Sequence, residues 1–252
     1  MLQRLINSAM RRATRYRSKP FAMRNTTPLV SFTFDDVPES AYTNGAAILE
    51  NRKVRGTFYI AGGRCGKENT VMGWHLIDRD QVRALHHDGH EIGCHTFSHP
   101  RVDQLDAGAL ENECQRNREV IRELCAGIEP TNFCYPFGSL SLARKRQLEK
   151  RFDSCRGIDE GINAGVVDLG LLRVIELYDR TLTQDKLARV LRENRDRNGW
   201  LIFYTHDVAE TPSGIGCSPQ VLRATLEVVQ DAEMSCLPIR EALIEIGYLA
   251  RS

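Results

Sequence analysis

Five side chains in this chain have the types and spacing of a metal-assisted hydrolytic site. His95 and His99 stand four residues apart in His95-Thr96-Phe97-Ser98-His99, directly after the short apolar segment Glu91-Ile92-Gly93-Cys94. Upstream, Ser31-Phe32-Thr33-Phe34 reads as a strand that runs into two adjacent carboxylates, Asp35 and Asp36. Downstream, Leu201-Ile202-Phe203-Tyr204-Thr205 reads as another strand and runs into His206 and Asp207. Two imidazoles and a carboxylate can hold a divalent ion and leave positions open for water and substrate. A second carboxylate and a third histidine supply a base and an acid. Taken singly, a histidine pair is as often a structural or surface pair, and an Asp pair is often a helix cap. The Asp pair is followed by Val37-Pro38-Glu39-Ser40, so Ser40 is the better cap for the next helix.

The elements that would position these groups alternate strand and helix. Strands are expected at Leu29–Phe34, Gly56–Ile60, His90–Cys94, Asn132–Tyr135, Asp153–Arg156, Leu172–Glu176 and Trp200–Thr205. Helices are expected at Ala41–Asn51, Asp78–His87, Leu105–Cys125, Leu182–Asn194, Pro219–Ala232 and Pro238–Leu249, and a loop at Gly62–Gly73. Repeated β–α units imply a parallel sheet with helices outside it. Asp35, Asp36, His95 and His206 all fall at the C-terminal ends of expected strands, where barrels of this kind carry their sites.

These motifs, in this order, resemble the polysaccharide deacetylases of carbohydrate esterase family 4, which share the nodulation-factor deacetylase (NodB) homology domain. The likeness rests on Thr33-Phe34-Asp35-Asp36, on His95-Thr96-Phe97-Ser98-His99 and on the strand ending at His206, and covers roughly residues 28 to 248. It implies an α/β fold, an incomplete (β/α)7 barrel. It also implies a metal-dependent hydrolase that removes the N-acetyl group from an N-acetylated sugar, oligosaccharide or glycolipid or polysaccharide precursor. By the resemblance Asp36, His95 and His99 bind zinc or another divalent transition metal, Asp35 is the general base and His206 the general acid. Tyr135-Pro136-Phe137 stands where the family carries its third motif and implies substrate and oxyanion contacts, with the Phe137 N–H as one donor.

The departures are specific. The arginine that steadies the base in the family is replaced by Cys134, and Arg156 or Arg173 is the candidate substitute. The acidic segment that orients the acid histidine is not readable, with Asp153, Asp159 and Asp168 as candidates. Three alternatives stay open: an O-acetyl esterase, a hydrolase of non-sugar amides, and an inactive carbohydrate-binding homologue. The retained polar cluster argues against the last, because an unused site would shed groups that are expensive to bury.

Composition bounds the rest. The 252 residues are 42% hydrophobic and 27% charged, ordinary for a globular domain, and the net charge of +1 gives no case for nucleic acid. No apolar run approaches the roughly 20 residues of a membrane span. Residues 1–34 hold seven basic residues and no acid; the remaining 27 of the 34 Lys and Arg face all 33 acids. Residues 1–27 are read as a basic amphipathic N-terminal segment, with Leu2, Leu5, Ile6, Ala9 and Met10 at helical spacing, and 28–252 as the barrel domain. Three readings of the segment stand open: docking on the barrel's own surface, a frayed tail, or peripheral contact with an anionic membrane face. The start lacks the apolar core of a secretory signal, and the eight cysteines include no CxxC pair. Reduced thiols in a cytoplasmic protein are therefore expected. Oligomeric state is not legible.

Overall fold

The computed structural model describes residues 18–250, and the N-terminal apolar stripe lies outside them. Seven strands close a parallel barrel: β2 (Leu29–Asp35), β3 (Thr57–Ile60), β6 (Glu91–Cys94), β7 (Asn132–Cys134), β8 (Ser154–Glu160), β10 (Leu172–Glu176) and β11 (Trp200–Thr205), with β11 pairing back onto β2. Every residue of β2 and of β11 is buried. β11 accordingly reads as a near-continuous apolar run, whereas β2 alternates Phe32 and Phe34 with Ser31, Thr33 and Asp35, whose polar groups find buried partners. Phe34 stacks on Phe58 of β3 at 4.6 Å and Phe32 on Phe203 of β11 at 5.5 Å, which ties the three strands together through their side chains.

Helices cover the outside: α1 (Ala47–Asn51), α2 (Arg79–His87), α3 (Ala107–Leu124), α4 (Leu142–Leu148), α5 (Gln184–Asp196), α6 (Pro219–Asp231) and α7 (Ile239–Glu245). Asp78 and Gln81 form a reciprocal capping box on α2. Ser40, the expected cap, makes no such bond; its hydroxyl accepts from the Val208 N–H instead, and the chain enters α1 through a π-helical turn at Ala41–Ala46. α4 was not anticipated, because only Lys145 and Leu148 in it are buried and so no apolar stripe marks it.

The expected loop at Gly62–Gly73 is more ordered than its glycines suggest. It contains a 3-10 turn (Gly62–Arg64) and the first strand of a hairpin, β4 (Glu68–Asn69) with β5 (Trp74–His75). The β8–β10 connection carries no helix, only β9 (Val166–Asp168), which pairs antiparallel with β1 (Pro20–Ala22). Residues 18–27 are therefore packed on the barrel: Lys19 Nζ donates to the carbonyls of Phe152 and Asp153 at 2.7 and 2.8 Å. A last short strand, β12 (Ser235–Cys236), extends β2 at its N-terminal end. All eight cysteines are free thiols, and no described helix is long and apolar enough to cross a membrane.

Candidate active site

The C-terminal ends of the strands open into a cavity of about 630 Å³, lined among others by Asp35, Asp36, His95, His99, Phe137 and His206. Asp35 closes β2 and Asp36 follows it with φ 58°, a left-handed conformation that non-glycine residues seldom adopt. That turn sends the two neighbouring carboxylates in different directions. Thr96 and His99 are also left-handed, at φ 61° and 62°, so the loop after β6 coils tightly enough to bring both imidazoles to one place. Glu113 of α3 fixes this coil, accepting from the Phe97 and Ser98 N–H groups at 2.9 and 2.7 Å and from the Ser98 hydroxyl at 2.8 Å. No spacing in the sequence marked Glu113.

Asp36, His95 and His99 converge. His99 Nε2 lies 3.1 Å and His95 Nε2 3.8 Å from Asp36 Oδ1. His95 Nδ1 donates to the Cys134 carbonyl at 2.9 Å, which leaves the Nε2 lone pair facing the carboxylate. Burial, then neighbouring positive charge, lowers both imidazoles to about 4, so both are neutral at neutral pH, the form a metal ligand requires. Asp36 Oδ1 is buried with no hydrogen-bond partner, its nearest cation being Arg64 at 3.6 Å. An orphaned carboxylate oxygen facing the Nε2 atoms of two neutral imidazoles fits a divalent transition metal.

Asp35, His95 and Cys134 also lie close enough to share an ion. That set fits poorly. Burial pushes the Cys134 thiol well above its ordinary value, and the Arg156 guanidinium already occupies both Asp35 and the Cys134 sulfur.

Arg156 is wholly buried and pairs with Asp35 Oδ1. It sits beside Cys134 in the β7–β8 register, so the guanidinium enters from the next strand at the same height as the residue it replaces. Its Cζ lies 5.1 Å from the ring centroids of both Tyr59 and Tyr204, and Nη1 donates to the Gly157 carbonyl at 2.9 Å. Burial alone would push the Asp35 carboxyl up; Arg156, with lesser contributions from His95 and His206, overcomes it and holds the group below the usual carboxylate range.

Arg173 lies elsewhere. It is exposed on β10, donates to the Glu160 carbonyl at 3.3 Å and lines a separate cleft, because its side chain points out of the barrel. Pro136 is buried and starts the turn that holds Phe137 at φ 56°. It does not line the cavity. Tyr135 is buried with its hydroxyl committed to the Gly170 carbonyl at 3.0 Å, so the phenol is not free for a substrate. Phe137 is exposed and sets its ring edge against His99 at 4.4 Å.

His206 stacks on Trp74 with centroids 5.7 Å apart, and its Nδ1 lies 3.0 Å from the Ile215 carbonyl. Of the three aspartates considered for orienting it, Asp159 lines the separate cleft with Arg173. Asp168 binds Lys145 and the Lys19 N–H, and Asp153 enters the Lys19 contacts through its carbonyl. Trp74 was invisible to pattern reading because it lies in β5, just past the expected loop and in no expected element.

A closed parallel seven-stranded barrel with one converging cluster at its C-terminal rim defines a (β/α)7 protein of the carbohydrate-deacetylase type. The family model for "Polysaccharide deacetylase" matches residues 22–153, so the chain belongs to that family. It is 29% identical over 114 residues to a peptidoglycan-N-acetylglucosamine deacetylase of Bacillus cereus, covering 44% of this chain and 37% of that protein. It is 25% identical over 188 residues to a chitin deacetylase of Colletotrichum lindemuthianum, covering 72% of this chain and 68% of that one. The match thus spans about a third of the first relative's length and two thirds of the second's. Among solved structures, the Bc1960 peptidoglycan N-acetylglucosamine deacetylase superposes with a TM-score of 0.62 at 18% identity, over 88% of this chain and 91% of that one. A mutant of a family 4 pseudoenzyme superposes with a TM-score of 0.64 at 17% identity, over 91% and 72%. At these identities the likeness is one of fold.

Proposed function

We propose that the protein is a metal-dependent N-deacetylase of an N-acetylated sugar or oligosaccharide. One observation carries this reading: the orphaned Asp36 oxygen faces the Nε2 atoms of His95 and His99, while a separate ionised carboxylate, Asp35, and a separate histidine, His206, line the same cavity. Asp36, His95 and His99 would hold zinc or another divalent transition metal. Such an ion supplies Lewis acidity, polarising the acyl oxygen and lowering the pKa of water from 15.7 toward about 7.

The remaining steps belong to the chain. Asp35 takes a proton from the attacking water. Arg156 occupies Oδ1, and Oδ2 is met only by the Cys134 thiol at 3.5 Å, so Oδ2 keeps lone pairs for that proton. The Phe137 N–H donates to the developing oxyanion. His206, protonated on Nε2, gives its proton to the departing amine, which cannot leave as an anion. The exposed Phe137 ring at the mouth offers a face to a sugar.

The relatives named for N-acetylglucosamine and chitin support an N-acetyl substrate. The test is incubation with chitooligosaccharides, assaying acetate and free amine together. Equal release of both supports the reading. Acetate released from O-acetylated sugars without amine release from N-acetylated ones would replace it with an esterase.

A further inference from the structure

His206 is oriented by a backbone carbonyl rather than by a carboxylate. The question is then what holds that carbonyl in place. Ile215 lies nine residues downstream, in the loop that follows β11, and such loops hold their shape only if something pins them.

Asp207 pins this one. It is adjacent to His206 in the chain and turns the other way, into the loop. Its side chain is buried, 4% exposed, with no ion-pair partner among the described residues. A buried carboxylate without a cation is expensive unless it accepts several hydrogen bonds. Oδ2 accepts from the Ser213 N–H at 2.7 Å, and Oδ1 from the Ser213 hydroxyl at 2.6 Å. The same hydroxyl oxygen accepts from the Ile215 N–H at 3.3 Å. The loop then closes: the Gly216 N–H donates to the Ser213 carbonyl at 3.1 Å and the Cys217 N–H to the Asp207 carbonyl at 3.0 Å. A Cβ on residue 216 would lie 2.2 Å from Asp207 Oδ1, so only glycine lets the chain pass this close to the carboxylate. The chain of contacts runs from Asp207 to Ser213, from Ser213 to the Ile215 backbone, and from the Ile215 carbonyl to His206 Nδ1.

We infer that Asp207 and Ser213 are positioning residues for His206, folding the loop so that the Ile215 carbonyl fixes the imidazole tautomer and aims Nε2 into the cavity. This rests on the proposed acid role of His206. A carbonyl on Nδ1 holds a proton there, which leaves Nε2 as the nitrogen that exchanges protons with substrate. Trp74, Tyr178 and Tyr204 pack around the ring but offer it no hydrogen bond, so the loop alone sets the rotation.

The test compares two substrates. An amine leaving group needs the acid; the nitrophenolate of 4-nitrophenyl acetate leaves without a proton. The wild type is assayed first on a chitooligosaccharide. If it releases no amine, the proposed function fails, whatever the loop does. Given wild-type amide activity, Ser213→Ala should lower kcat on the amide about tenfold and Asp207→Asn about a hundredfold, the scale of a misplaced catalytic group. KM should stay within about twofold, because the sugar contacts are untouched. Hydrolysis of the aryl ester should be unchanged, and Ser213→Thr, which keeps the hydroxyl, should restore amide turnover. Unaltered amide kcat in Ser213→Ala, or an equal loss on amide and ester, would overturn the inference. Ser213→Ala removes one hydroxyl, so it keeps the test decisive if Asp207→Asn does not fold.

Discussion

The two ends of this barrel are built to opposite rules. At the N-terminal ends of the strands, a connected set of buried polar groups is satisfied, although Asn194 Oδ1, beside Leu29, has no partner. Glu91 accepts from Thr57, Asn132 and the Arg240 N–H; Thr57 accepts from the Ile239 N–H, and Ser154 donates to Asn132. At the C-terminal ends, Asp36 Oδ1 and Arg156 Nε are buried without partners. Backbone strain divides the same way. Nine described non-glycine residues have positive φ; Lys53, Ala126, Asn198 and Glu233 end helices, Asp36, His99 and Phe137 line the cavity, and the buried Val37 and Thr96 are chain neighbours of the lining residues Asp36 and His95. The comparison teaches that one fold can keep stability and chemistry apart. The satisfied end closes the barrel, and the strained end holds groups where folding alone would not put them.

The contrast can be broken in order of expected effect. Replacing a proposed metal ligand, as in His95→Ala, should abolish metal uptake and lower activity by at least about a thousandfold, since a Lewis acid is worth several kcal/mol. Elemental analysis beside an acetate-release assay checks both. Asp35→Asn should retain the metal and lower kcat by about 10²- to 10⁴-fold, the span of general-base catalysis. Full turnover in that variant would remove Asp35 from the base role.

Arg156→Met leaves the buried Asp35 carboxylate unpaired, and unfolding by denaturant should register a loss of about 3–5 kcal/mol. Its acid limb of activity should also move to higher pH, because the group that holds Asp35 below the usual range is gone. At the other end, Glu91→Gln should change stability by only about 1 kcal/mol and leave kcat alone. Burial pushes the Glu91 carboxyl up against its three donors, so the fold already disfavours its charge.

One further effect is read against pH rather than by substitution. His95 and His99 sit at about 4 in the fold, against 6.5 for the ordinary imidazole. The unfolded chain therefore binds protons that the folded chain refuses. Metal-free protein should keep full stability above pH 6.5 and lose it as the pH falls toward 4, with a slope approaching about two protons. Denaturant midpoints at several pH values, with and without chelator, measure that slope.

How much of this was legible in the sequence follows from how local each signal is. The parallel barrel could be read because strand-like and helix-like segments alternate along the chain, with the fully buried β11 standing out as an apolar run. Asp36, His95 and His99 come together because two short stretches, each at a strand end, hold them. Arg156 was readable only as a candidate, since the register with Cys134 is a property of paired strands. Arg173, the second candidate behind Arg156 with its small-residue neighbours, points away from the barrel because strand side chains alternate. The Ile215 carbonyl could not be read at all, since a backbone group leaves no mark on residue identity. Glu113 and Trp74 act across the fold, from α3 and from a hairpin, with no spacing that links them to the residues they hold.

The central claim is that the strained rim exists to hold a metal. Metal stoichiometry of the purified, extensively dialysed protein, measured by elemental mass spectrometry beside His95→Ala, tests it most directly. The account predicts about one divalent transition metal per wild-type chain and none in the variant. A wild-type chain that carries none and takes none up from added zinc would contradict it.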